Sequence, residues 1–172
     1  MNSEVNLNIR LVDQSEGLYL LALTVRNDSA SRLLIPWPEI IGFRFLRADD
    51  LQEAEWGTCV LEHTSWGGGV LTPGEAKEFV FRIVVGDAPE EPTDDELISG
   101  RWDLWCVDLR PGVYVVSYRL NVDVEYFDPD SHYRLPQLQR EAEAHSAKVW
   151  LREAISNELR LVHTANGQHA DE

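Results

Sequence analysis

The chain has 172 residues, 44% hydrophobic and 26% charged, with 15 Lys and Arg against 30 Asp and Glu and a formal net charge of −15. That apolar content is enough for a core, which excludes a disordered or low-complexity chain. No basic patch is visible to neutralise phosphates, and no apolar run reaches the roughly 18 residues of a membrane helix, so neither nucleic acid nor membrane is expected as a partner.

Residues 5–11 alternate, with Val5, Leu7, Ile9 and Leu11 apolar and Asn6, Asn8 and Arg10 polar. Period two predicts a half-buried strand. Residues 13–17 (DQSEG) read as a turn. The apolar run from Leu18 to Val25 predicts a second strand, with Leu21, Leu23 and Val25 on one face. A third begins at Arg32 and is stopped by Pro36-Trp37-Pro38, because proline cannot donate to a ladder. Ile41, Phe43 and Phe45 then share a face, and Asp49-Asp50 closes that strand.

Residues 56–64 allow a short strand. Ser65 to Gly69 (SWGGG) reads as a mobile loop tip, since glycine loses the most entropy on ordering. Leu71-Thr72-Pro73-Gly74 and Leu109-Arg110-Pro111-Gly112 are tight-turn signals. Phe79, Phe81, Ile83 and Val85 alternate between them. Residues 86–100 form an acidic loop, in which Thr93 to Glu96 fits a capping box and allows one helical turn. The cleanest strand covers 114–126, with Tyr114, Val116, Tyr118, Leu120, Val122, Val124 and Tyr126 on one face. At about 3.3 Å per residue it would span roughly 43 Å, which predicts a bend, a bulge or a projecting ribbon. Residues 128–145 form an insertion whose second half, Gln137 to His145, favours a short helix. Lys148 to Leu151 returns the chain, and Ser156 to His163 is the last strand, with Leu159 and Leu161 on one face.

Seven or eight strands and no long amphipathic helix predict an all-β chain. Without a helical crossover, the sheets are expected to be antiparallel. The expected architecture is an antiparallel two-sheet immunoglobulin-like β-sandwich over residues 1–164, with one long loop insertion holding a short helix. Residues 165–172 read as a frayed acidic tail. The Cys…Trp…Cys hallmark of antibody domains is missing.

No G-x-S-x-G, H-E-x-x-H, P-loop or G-x-G-x-x-G occurs, so no catalytic residue, cofactor or metal is expected. Asp128-x-Asp130-x-His132 is the best metal candidate, but the EF-hand continuation is absent and ordinary turn chemistry is the reading taken. The six tryptophans stand out. Trp56, Trp66, Trp102 and Trp105 fall in loops or short strands, and tryptophan is enriched at binding hot spots. Trp66, beside three glycines, is the one expected to be exposed. Trp102 and Trp105 could equally plug an open sandwich end, and Trp37 and Trp150 read as structural. Residues 86–108 carry eight acids and one base, with Asp94, Asp95 and Glu96 at their centre. That cluster is either a solvated loop or a docking surface for a basic partner.

Four stretches resemble a known family. Leu21 to Ser29 (LALTVRNDS), Phe43 to Asp50 (FRFLRADD), Leu71 to Glu75 (LTPGE) and Leu109 to Tyr114 (LRPGVY) are similar to strands and turns of the BsuPI-type intracellular proteinase inhibitors and related bacterial immunoglobulin-like modules. The closing Ser156 to Leu159 (SNEL) resembles their last strand. The likeness covers about residues 18–122 and reports turns rather than function. It implies an immunoglobulin-like fold and, at family level, proteinase inhibition. No inhibitory residue carries across.

The expectation is a non-catalytic protein-binding module, with Trp56, Trp66, Trp102, Trp105, Asp94, Asp95 and Glu96 as partner-binding residues. Protease inhibition through residues 64–70 is one form of it. The competing readings are a carbohydrate-binding module and an acidic decoy or immunity-type protein for a basic partner. The N-terminus lacks a secretory pattern, so a cytoplasmic location and reduced Cys59 and Cys106 are expected.

Overall fold

Alternation at the N-terminus becomes the hairpin that opens the fold. β1 (Val5–Ser15) pairs antiparallel with β2 (Leu18–Asn27). Val5, Leu7 and Ile9 point inward, as do Leu21, Leu23 and Val25. The register shifts between Leu11 and Asp13, so Val12 is an extra residue and the strand runs on through Asp13 to Ser15. Gly17, with φ of 65°, then turns the chain. The computed structural model describes residues 4–15, 17–58, 68–86, 105–122 and 135–164.

β3 (Leu33–Pro36) is buried throughout and ends at the predicted proline. A 3-10 turn (Ile40–Gly42) leads into β4 (Phe43–Arg47), followed by β5 (Trp56–Thr58), β6 (Gly68–Leu71) and β7 (Ala76–Val85). β8 (Trp105–Val107) and β9 (Gly112–Asn121) precede α1 (Leu135–Ala144). The chain closes with β10 (Lys148–Val149), β11 (Glu153–Ile155) and β12 (Leu159–His163). α1 lies within two residues of the predicted helix and buries Leu138 and Ala142 against the core. Ser146, at φ 52°, ends its trailing turn.

The described strands form three open sheets. One has the order β1-β2-β7-β8-β5 and another β10-β3-β6. In the third, β9 is central, with β4 on one flank and β11 followed by β12 on the other. Tyr118 and Phe43 from the third sheet meet Phe81 from the first. The Phe43 and Phe81 rings stand 5.3 Å apart edge to face, and those of Phe43 and Tyr118 4.9 Å.

Two asparagines tie distant segments together. Asn27 is fully buried, and its amide donates to the carbonyls of Ser31 at 2.8 Å and Leu71 at 2.9 Å. Its Oδ1 accepts from the N–H and hydroxyl of Ser29. Asn157, between β11 and β12, clasps Ile9 of β1. Its Oδ1 accepts from Ile9 N at 2.7 Å and its Nδ2 donates to Ile9 O at 3.1 Å.

Several expectations need correction. The described residues hold twelve strands, not seven or eight, because β8, β10 and β11 are two or three residues long and too short for periodicity to register. The sheets are not purely antiparallel: β10 runs parallel to β3, and β8 parallel to β7. No helical crossover is required, since the chain between β3 and β10 passes through other sheets before it returns. Ile41 does not share a face with Phe43 and Phe45; it sits in the 3-10 turn, partly exposed. Gly68 and Gly69 belong to β6, paired with Pro36 and Ile35, rather than to a loop tip. A Cβ on Gly69 would fall 2.5 Å from Trp37 Cη2, so the close indole selects glycine there. The helical turn at 93–96, the strand beyond Val122 and the tail from 165 onward lie outside the described residues.

Candidate functional site

The site grows from the point where β4 begins. Alternation would carry β4 back along β9 past Phe43, but the chain turns away at Gly42. Gly42 N donates to Glu39 O at 3.1 Å, closing the 3-10 turn. Glycine is required at this position: a Cβ would sit 2.7 Å from Tyr118 Cε2. Tyr118 in turn donates its hydroxyl to Glu39 O at 2.8 Å, pinning the turn to β9.

The diverted chain leaves a groove of about 390 Å³. It is lined by Trp37, Glu39 and Ile41 from the turn, by Arg119, Leu120 and Asn121 from β9, and by Arg44 and Glu53. Trp37 is held in place by two residues of β7. Lys77 Nζ lies 4.1 Å from the indole centroid, and the Phe79 ring packs 5.3 Å away. Ile41 is 37% exposed, an apolar side chain at the groove lip.

The charges along the groove are paired. Arg44 binds Glu53 through both carboxylate oxygens, and Arg119 binds Glu153. The hydrogen bonds from Arg44 hold the Glu53 carboxyl below its ordinary pKa, with the charges of Arg44 and Arg119 adding to the effect. All four side chains are substantially exposed, so these pairs orient the groove wall more than they stabilise the fold. Glu53 also borders a second, polar cleft of about 200 Å³ lined by Arg47, Asp108, Arg110 and Tyr114. There Arg47 Nε lies 3.0 Å from Asp49 Oδ1, an ion pair without hydrogen-bond alignment.

Of the residues singled out from the sequence as partner-binding, the two that are described, Trp56 and Trp105, do not line this groove. Trp56 is half-buried in β5; its indole N–H donates to Phe43 O at 3.0 Å and its ring meets Phe45 edge-on. Trp105 is half-buried in β8, opposite Thr58. Trp66, Trp102, Asp94, Asp95 and Glu96 lie outside the described residues, as do Asp128, Asp130, His132 and Cys59. Cys106 is buried in β8, its Sγ 3.7 Å from Gly57 O. Among the described residues, no three His, Cys, Asp or Glu side chains form a metal-binding group, and no helix is long and apolar enough to cross a membrane.

Sequence reasoning missed Ile41, Arg44, Glu53, Arg119 and Asn121 as a group. One signal was present. Gly42 interrupts an otherwise apolar alternation directly after Pro36-Trp37-Pro38, and a lone glycine in a strand pattern marks a close backbone approach. No family model and no curated protein matches the chain.

Proposed function

We propose that the chain is a non-catalytic protein-binding module on an immunoglobulin-like two-layer sandwich, and that it docks its partner in the groove between Trp37 and Asn121. The aromatic contacts of Phe43 and Tyr118 with Phe81 across facing sheets support that layer arrangement. The carrying observation for function is the lining of the groove. An exposed isoleucine and a braced tryptophan face two arginines whose charges are already compensated. Apolar and aromatic anchors beside arginine, with charge kept to the rim, are the composition of protein interfaces.

The test is affinity capture with three baits: the unmodified chain, Ile41→Asp, and Val80→Asp at an exposed residue of β7 that does not line the groove. A partner captured by the unmodified chain and by Val80→Asp, and lost with Ile41→Asp, supports the reading. A partner retained by all three baits places docking elsewhere on the molecule. Protease inhibition is one form of this activity and is checked by titrating serine proteases with the same three proteins.

A further inference from the structure

Among the described residues, β9 has a strand neighbour on both flanks over its middle, but on one flank only over its last residues. The direction of its backbone groups is fixed by three hydrogen bonds. Ser156 N donates to Tyr118 O at 2.9 Å, and Val122 N donates to Arg152 O at 2.9 Å. Even-numbered residues therefore face β11 and its flanking residues. On the opposite flank Ala48 N donates to Val113 O at 2.8 Å, so odd-numbered residues face β4. In an antiparallel ladder this alternation continues along the strand, so the C=O of Arg119 and both backbone groups of Asn121 are directed to the β4 side.

β4 does not reach them. Its first pair is Phe43 with Tyr118, and the Gly42 N–H that would continue the ladder is turned to Glu39 O. β11 registers Ile155 with Arg119 and Glu153 with Asn121 on the other flank only. The groove described above lies where the missing strand would run, with Trp37 and Ile41 standing along it.

We propose that this groove is a strand-addition site: an extended segment of a partner protein pairs antiparallel with Arg119–Asn121, continuing the line of β4. The proposal rests on the protein-binding reading and names its mode. Main-chain hydrogen bonds to the Arg119 carbonyl and the Asn121 amide hold the segment. An apolar side chain on the segment packs beside Trp37 and Ile41, and its neighbours face outward, as period two requires. A short length of otherwise paired strand offering a few free groups is a template for one partner segment rather than for open-ended aggregation.

The experiment selects a random heptapeptide library on the full chain, then measures the selected peptides by fluorescence polarisation. Asn121→Pro removes the presented N–H and leaves the even-numbered pairing to β11 in place. Ile41→Asp removes the apolar wall. Peptides with alternating apolar residues, weakened about tenfold by Asn121→Pro, support strand addition. The same loss on N-methylation of the peptide at alternate positions supports it too. A second readout is independent of the variants. Amide exchange by NMR should show Asn121 N–H exchanging faster than Leu120 N–H in the free chain and slowing with peptide. Peptides that bind but are indifferent to Asn121→Pro and to N-methylation overturn strand addition while leaving protein binding intact. Asn121 N–H already protected in the free chain also overturns it. Failure to select any peptide overturns both.

Discussion

Tyr19 and His163 meet inside the protein, the phenolic oxygen 2.8 Å from Nδ1, with both side chains buried and their rings edge to face. They link the second strand to the last. Burial holds the His163 pKa below its ordinary value, while burial, with Tyr114 adding, raises that of Tyr19. The unfolded chain regains an ordinary histidine near about 6.5 and there binds more protons than the folded one. Stability is therefore complete above that value and falls as pH drops toward the lower folded pKa. Urea midpoints at pH 7.5 and 5.5 should fall for the unmodified chain and change less for His163→Gln. Equal falls in both proteins would remove His163 as the cause. Glu53 and Glu75, whose folded pKa values are lowered, contribute fully above the ordinary carboxylate range and lose that contribution as pH falls through it.

Asn27→Asp should be among the most damaging single-atom changes available. The Nδ2 position faces the Ser31 and Leu71 carbonyls with no exposure to water. An oxygen there meets two acceptors, and a charged one has no counterion. The expected loss is about 3–5 kcal/mol, read from urea unfolding, against a smaller loss for Asn27→Ser.

Gly42→Ala tests the turn that opens the groove. The added methyl collides with the Tyr118 ring, which is itself buried and hydrogen-bonded to Glu39 O. A loss of about 1–3 kcal/mol is expected. Chemical shifts should move at Glu39, Ile41 and Tyr118 and stay fixed at Asn27, which lies elsewhere. A neutral Gly42→Ala would mean the turn yields freely.

The Arg44–Glu53 pair should contribute little to stability despite its bidentate geometry. Both side chains are about two-fifths exposed. A double-mutant cycle with Arg44→Ala and Glu53→Ala should return a coupling of no more than about 1 kcal/mol, shrinking with added salt. A larger, salt-resistant coupling would show that the pair is buttressed by the fold.

Much of the sheet content was legible because long strands with one wet face alternate visibly. Val5 to Leu11, Phe79 to Val85 and Tyr114 to Leu120 read correctly for that reason. The turn at Gly74 was legible through its Pro-Gly chemistry, whereas at Leu109–Gly112 the chain only bends at Pro111 and Gly112 already begins β9. The short strands were not: Lys148–Val149 and Glu153–Ile155 exist because β3 and β9 offer edges to them, which is tertiary information. Gly68 and Gly69 were misread for a related reason. Their conformational freedom argues for a loop until the Trp37 ring, more than thirty positions away, is known to pack on Gly69. The groove was invisible because it is made by the place where a strand stops. Alternation locates where apolar residues sit but not where a neighbour ends.

The clasp of Asn157 on Ile9 has a consequence for biosynthesis. Its two ends lie 148 positions apart, and Tyr19 and His163 lie 144 apart. On a ribosome, β1 and β2 can form a hairpin early, but the hairpin edge at Ile9 and the interior at Tyr19 stay unmatched until Asn157 and His163 have emerged. Long-range partners of this kind make folding slow and leave nascent strands exposed. A chain stalled before residue 157 should hold a hairpin with a sticky flank, in need of a chaperone, and release of the last strand should be the step that completes the fold.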